Sequence, residues 1–216
     1  MTWDETHPGG YPPDAHLSHL GVITHDASTT FWELGELATP GIAKMAVTGC
    51  IDNFLGCGGI LQYPTSLEQE AQTAISGGGA HSINIYRQWF PTPGVTDIFF
   101  EVDEAFPYLT FATMIGPSPD WFVGVSGLNL RPGGDWIPKT TTSFIVYDGG
   151  VKSTNALIFN QSGPNEIPPK PIAVLTEHPF GSAPVGFFEL SQVPEPSTVI
   201  LLSLGLGAAF AWRRRR

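Results

Sequence analysis

The sequence predicts an all-β fold, an antiparallel β-sandwich of about eight strands. Charged residues make up only 14% of the chain while 25 Gly and 20 Pro punctuate it, a balance that favours short strands and turns over long solvated helices. From residue 81 onward, β-branched and aromatic runs recur at short intervals between Gly, Pro and Asp. Several of these runs alternate apolar with small or polar residues, as in Phe122-Val123-Gly124-Val125-Ser126-Gly127-Leu128-Asn129-Leu130, the pattern of a strand buried on one face.

Turn signals at Pro8-Gly9-Gly10 and Pro12-Pro13 dominate the first 47 residues, and Ala43-Lys44-Met45-Ala46 is locally helix-favouring, which predicts a helix over 41–48. Between two Gly-rich stretches, residues 66–76 read as a second short helix or a long surface loop. The predicted strands are 82–89, 97–102, 108–115, 122–130, 140–147, 156–159, 172–176 and 185–190. A total of 216 residues is enough for one domain with a real core.

The formal net charge of -10 hides an asymmetry, because Arg213, Arg214, Arg215 and Arg216 supply four of the ten basic residues. Residues 1–192 carry six Lys or Arg against nineteen acids, a net of -13. So acidic a body repels phosphate backbones, which excludes nucleic acid as a partner. The carboxylates suit solubility or a divalent cation. Cys50 and Cys57 are the two cysteines. Their single spacing lacks the paired pattern of a zinc site and fits a small disulfide loop in an oxidising compartment, with two buried thiols as the alternative.

The C-terminus divides into a Pro-rich linker, 193–198, holding Pro194, Glu195 and Pro196, and a tail, 199–216, of fourteen apolar or small residues followed by the arginines. As a helix the apolar stretch would be about 21 Å long, short of the ~30 Å hydrocarbon core. The arginines orient that hydrophobic helix with its end on the cytoplasmic side and the body outside. The arrangement resembles the PEP-CTERM sorting signal of Gram-negative bacteria. The resemblance implies cleavage near Pro194-Glu195-Pro196 by an exosortase-type enzyme, a transiently membrane-tethered precursor, and delivery to the cell surface or extracellular polysaccharide. A weak membrane helix that stays attached is the alternative.

The body, residues 1–192, resembles the spondin domain through six stretches. They are Thr2-Trp3-Asp4-Glu5-Thr6-His7-Pro8, Pro13-Asp14-Ala15-His16-Leu17-Ser18, Gly21-Val22-Ile23-Thr24-His25, Phe31-Trp32-Glu33-Leu34-Gly35-Glu36-Leu37-Ala38, Tyr147-Asp148-Gly149-Gly150, and a long run from Met114 that includes Pro117-Ser118-Pro119-Asp120-Trp121-Phe122-Val123-Gly124. The resemblance implies a sandwich similar to calcium-dependent membrane-targeting modules, with one Ca²⁺ held between loops by three Asp residues. Two of these fall on Asp120 and Asp148; the third position holds Lys152, which weakens calcium binding unless its side chain swings to solvent. The alternative is that Asp120 caps the Pro119 turn and Asp148 starts the turn at Gly149-Gly150. The family also places a strand before Thr2-Trp3, and Thr2 to Pro8 is polar rather than signal-like. Both observations lead to the expectation of an upstream start, with a signal segment and an alternating strand.

Other constellations are weaker. His7, His16, His19 and His25 crowd together, but loops give no fixed geometry for zinc or copper, and hydrogen bonding within packed loops is the expected role. Glu33 with Glu36, and Asp103 with Glu104, offer paired carboxylates without a defined separation. Gly56 to Gly59 and Gly77 to Gly79 lack a following Lys-Ser/Thr and fail as phosphate loops. Trp121 and Trp136 are candidates for stacking on sugar rings or, more usually, for the core. The expected function is an exported, non-catalytic adhesion or matrix-binding module, with extracellular polysaccharide or a surface protein as partner. The alternative is a surface enzyme acting on polysaccharide.

Overall fold

Two long strands, β6 (Tyr108–Gly116) and β7 (Trp121–Asn129), form the central hairpin, with Phe111 opposite Val125 and Met114 opposite Phe122. The computed structural model describes residues 2–3, 15–53, 63–91, 94–153, 164–176, 180 and 182–193. The remaining strands in chain order are β1 (Thr2–Trp3), β2 (His16–Leu17), β3 (Leu20–His25), β4 (Ala80–Tyr86), β5 (Phe90–Pro91), β8 (Lys139–Phe144), β9 (Tyr147–Asp148), β10 (Ala173–Val174) and β11 (Gly186–Ser191). Two helices, α1 (Pro40–Thr48) and α2 (Leu67–Ser76), lie between β3 and β4.

The strands form two antiparallel sheets, and the fold is predominantly β. An eight-stranded sheet runs β10-β9-β7-β6-β2-β5, with β3 joining β6 to β4; a three-stranded sheet runs β1-β11-β8. Side-chain alternation sorts the residues of the large sheet into two cores. Leu20, Val22, Leu109, Phe111, Trp121, Val123 and Val125 meet Phe144 and Phe188 of the small sheet. Ile23, Ala112, Met114 and Phe122 instead pack under Ile42, Met45 and Leu67 of the helices. The result is three layers, helices on sheet on sheet, because the long strands β3, β6 and β7 have apolar groups to bury on both faces.

This layering explains the strand that the sequence reading missed. All six residues of β3 are buried, so Leu20 to His25 shows no apolar-polar alternation. Both helices, in contrast, end where their caps dictate. Thr39 accepts the Ile42 N–H (3.3 Å) with Pro40 in the first turn, and Gly49 closes α1 at φ 74°, a conformation that favours glycine. Ser66 and Gln69 form a reciprocal capping box on α2, as expected for this spacing. Glu70 of α2 then reaches across to α1, accepting the Gly41 N–H and the Thr39 hydroxyl, each at 2.8 Å.

Of the predicted strands, 97–102 does not enter either sheet, 140–147 divides into β8 and β9, and 156–159 lies outside the described residues. The C-terminal hydrophobic helix, with Pro194, Glu195, Pro196, Arg213, Arg214, Arg215 and Arg216, also lies outside them. Among the described residues no helix is long and apolar enough to cross a membrane.

Candidate metal site

The turn between β6 and β7 places Asp120 at the start of β7, against the end of β9. Ser118, not Asp120, caps this turn, its hydroxyl oxygen accepting the Trp121 N–H at 3.1 Å. The Asp120 carbonyl accepts the Gly149 N–H at 3.0 Å. Its carboxylate turns towards the next loop, where Oδ2 accepts the N–H groups of Val151 (2.6 Å) and Lys152 (2.8 Å). The alternative role for Asp120, capping the Pro119 turn, thus falls to Ser118, and the Asp120 carboxylate ties two loops together.

Asp148 enters through the β7–β9 ladder, where it stands opposite Trp121. Its Oδ1 accepts the Gly150 N–H at 2.7 Å, the Asp-initiated turn expected at Gly149-Gly150. Close packing accounts for both glycines. A Cβ on Gly149 would stand 2.8 Å from the Asp120 carbonyl oxygen, and one on Gly150, at φ 68°, would stand 2.1 Å from that of Lys170.

Asp120 is 0% exposed, and its Oδ1 has no hydrogen-bond partner. Burial, and then the neighbouring Asp148 charge, push its carboxyl up to about 7, against the opposing pull of the Lys152 and Val151 amides. Burial and the Asp120 charge also push the Tyr63 phenol up, and its buried hydroxyl likewise has no hydrogen-bond partner. An unsatisfied carboxylate oxygen in a dry site is costly. A cation between Asp120 and Asp148 would relieve both the desolvation and the mutual repulsion.

Lys152 does not supply that cation by direct pairing, nor does it swing to solvent. It is 7% exposed, donates from Nζ to Asn165 Oδ1 at 2.8 Å, and lies 6.0 Å from the centre of the Tyr63 ring. The residues fit a hard cation in one respect, an orphaned buried carboxylate oxygen facing no protein donor. The protein carboxylate set is small, since no group of three or more His, Cys, Asp or Glu converges among the described residues. The remaining ligands of a Ca²⁺ would be carbonyl oxygens and water.

The other sequence candidates sort differently. His25 is buried, with Nδ1 at 2.8 Å from the Asp26 carbonyl and Nε2 at 2.9 Å from the Thr110 hydroxyl. His16 stacks on Trp89, their ring centres 4.4 Å apart, whereas His7 lies outside the described residues. Glu33 and Glu36 are exposed. Asp103 accepts the Ala105 N–H in a solvated turn, and Glu104 pairs with Arg131 at 3.1 Å. Trp121 is fully buried in the core, while Trp136 is half-buried beneath the Arg131 guanidinium at 5.0 Å. Cys50 is disulfide-bonded; Cys57 lies outside the described residues.

Two neighbours of the site have no signal in the sequence, Tyr63 and Asn165. Neither belongs to a local motif, because each is brought in from a separate loop. The buried Asp52, which pairs with Arg87 at 2.5 Å, was hidden for the same reason.

Comparison with known proteins supplies the family. The Spondin_N family matches residues 1–192. The chain belongs to that family. Spondin-1 of Homo sapiens is 29% identical over 187 residues, covering 82% of this chain and 21% of that protein. Spondin-2 of Homo sapiens is 28% identical over 215 residues, covering 94% of this chain and 59% of that protein. This Spondin_N chain therefore spans about a fifth of the spondin-1 relatives it matches. Residues 192–216 match the PEP-CTERM protein-sorting motif, which marks the Spondin_N body for export from a Gram-negative bacterium and for processing by an exosortase-type system.

Proposed function

We propose that this chain is an exported, non-catalytic adhesion or matrix-binding module whose loop tips are fixed by one Ca²⁺ between Asp120 and Asp148. After release from its membrane-tethered precursor, it acts at the cell surface or in the extracellular space, with extracellular polysaccharide or a surface protein as its partner. The observation that carries the metal is the buried, unpartnered Asp120 Oδ1 beside a second carboxylate. When bound, the ion would neutralise the pair and lock the turn at Gly149-Gly150 to the β6–β7 turn. The family membership and the sorting motif support the extracellular setting.

Acid–base catalysis on polysaccharide also uses paired carboxylates with separated pKa values. Here, however, the group pushed to about 7 is 0% exposed, whereas an acid catalyst must touch the glycosidic oxygen. Among the described residues, the sequence-adjacent pairs are solvated. The module reading fits these positions better.

Calorimetric titration of the full chain in detergent with CaCl₂, against Asp120→Ala, tests the metal. The expected result is saturable heat in the parent and none in the variant. A flat titration in the parent rejects the calcium.

A further inference from the structure

A pocket of about 410 Å³ opens where the loop after β3 crosses β7 and reaches β9, with Trp32, Glu33, Ser126, Gly127 and Tyr147 in its wall. We propose that it binds one uncharged sugar residue, a hexose ring borne on an extracellular polysaccharide. Sugar binding here rests on the reading of this chain as a matrix-binding module and names that module's ligand class. It is independent of the calcium, because neither Asp120 nor Asp148 lines the pocket.

A small residue and a bulge make the room. Strand alternation puts Gly124 on the same face of β7 as Phe122 and Ser126, and a Cβ on Gly124 would stand 3.2 Å from the Trp32 indole. The indole packs edge-on against Phe122, with ring centres 5.2 Å apart, and against Tyr147, at 5.0 Å. The Ser126 hydroxyl donates to the Trp32 carbonyl and pins the loop to the strand. Beside it, Gly127 at φ 61° sits where the β6–β7 register slips, its N–H donating to the Thr110 hydroxyl at 2.9 Å. A Cβ on Gly127 would meet no atom within 4 Å, so this bulge leaves the strand open to a ligand.

The polar groups of the wall lack partners of their own. Trp32 is 4% exposed, and its indole N–H is buried without a hydrogen-bond partner, a costly arrangement in an apolar setting. The half-buried Tyr147 and the exposed Thr30 contribute hydroxyls, and the exposed Glu33 a carboxylate. None of these three side-chain groups has a hydrogen-bond or ion-pair partner among the described residues.

That set selects the ligand. An indole N–H only donates, a carboxylate only accepts, and the two hydroxyls do either. An anion would meet the Glu33 charge on an already acidic body. An ammonium ion would satisfy Glu33 but leave the indole N–H unpaired. Hydroxyls on adjacent ring carbons both give and accept, directly or through a bridging water, so a sugar serves every group at once. Its C–H faces suit the aromatic rings and Leu34, which stands 52% exposed at the rim. The volume lies near the lower end for ligand pockets and fits one ring rather than a length of polymer.

The test follows the Trp32 indole N–H resonance of the full chain in detergent. The probes are the methyl glycosides of glucose, mannose and galactose, with choline and glucuronate as charged controls and dextran and galactomannan as polymers. At least one neutral glycoside is expected to shift the resonance saturably. Glu33→Ala should weaken that binding by roughly tenfold or more and Tyr147→Phe by roughly fivefold. Both variants should keep the parent's melting temperature within about two degrees, since neither group has a protein partner to lose. Preference for choline or glucuronate, or affinities that both variants leave unchanged, would overturn the sugar pocket. Binding of dextran or galactomannan that leaves the Trp32 resonance unmoved would sink the pocket while sparing polysaccharide as the module's partner. Silence from every probe would overturn both.

Discussion

The main-chain N–H of Lys152 donates to Asp120 at 2.8 Å, while its ammonium turns away to Asn165, also at 2.8 Å. One residue thus satisfies half of the carboxylate with its backbone and leaves the other half without a side-chain donor. The family resemblance implies an acidic ligand at this position, where this chain has Lys152. Its N–H keeps the loop anchored to Asp120.

Lys152→Asp should therefore strengthen Ca²⁺ binding, by about tenfold or more, because a third carboxylate replaces a nearby like charge. Calorimetric titration of the parent and variant checks this. Unchanged or weaker affinity would show that residue 152 does not face the ion.

The Asp120 carboxyl, raised from its ordinary 3.8 to about 7, makes metal-free stability depend on pH. The folded chain holds the proton more tightly than the unfolded one. The resulting stabilisation is complete below about pH 4 and lost as pH rises towards and through 7. The difference corresponds to on the order of 4 kcal/mol. Asp120→Asn should flatten the fall in stability between about pH 4 and 7, as read by urea denaturation with a chelator present. Parallel pH profiles for parent and variant would contradict the assignment.

Breaking the disulfide at Cys50 should lower stability by about 2 kcal/mol, the entropy of a short closed loop. Cys50→Ser, compared with the oxidised parent by thermal unfolding, gives the measurement. A melting temperature unchanged by both the substitution and a reducing agent would remove the disulfide from the account.

Glu70 binds the Thr39 hydroxyl and the Gly41 N–H at the start of α1, and burial holds its carboxyl above the usual range. Glu70→Ala should cost about 2 kcal/mol, because it strands a helix-initiating donor and opens space between the helices. Glu70→Gln, which keeps one acceptor, should lose roughly half as much. Urea denaturation orders the two, and equal losses would show that packing alone matters here.

The sandwich was legible because its signals are local. Alternation in Phe122 to Asn129, helix propensity in Ala43 to Ala46, and Asp-Gly-Gly at the β9 turn each act within a few residues. Residues 97–102 carry an equally clear strand pattern but join no ladder, since pairing needs a neighbour as well as a pattern. β3 failed in the opposite direction, as burial on both faces erased its alternation.

By itself the sequence determined the β-rich class, the helix near 41–48 and the sorting tail, because composition, propensity and contiguous motifs carry them. Only the tertiary structure decided that Lys152 turns to Asn165 and that Asp120 Oδ1 is left unpartnered. Each of these depends on which distant segments share a dry interior. Desolvation and pairing there are set by neighbours that no local pattern names.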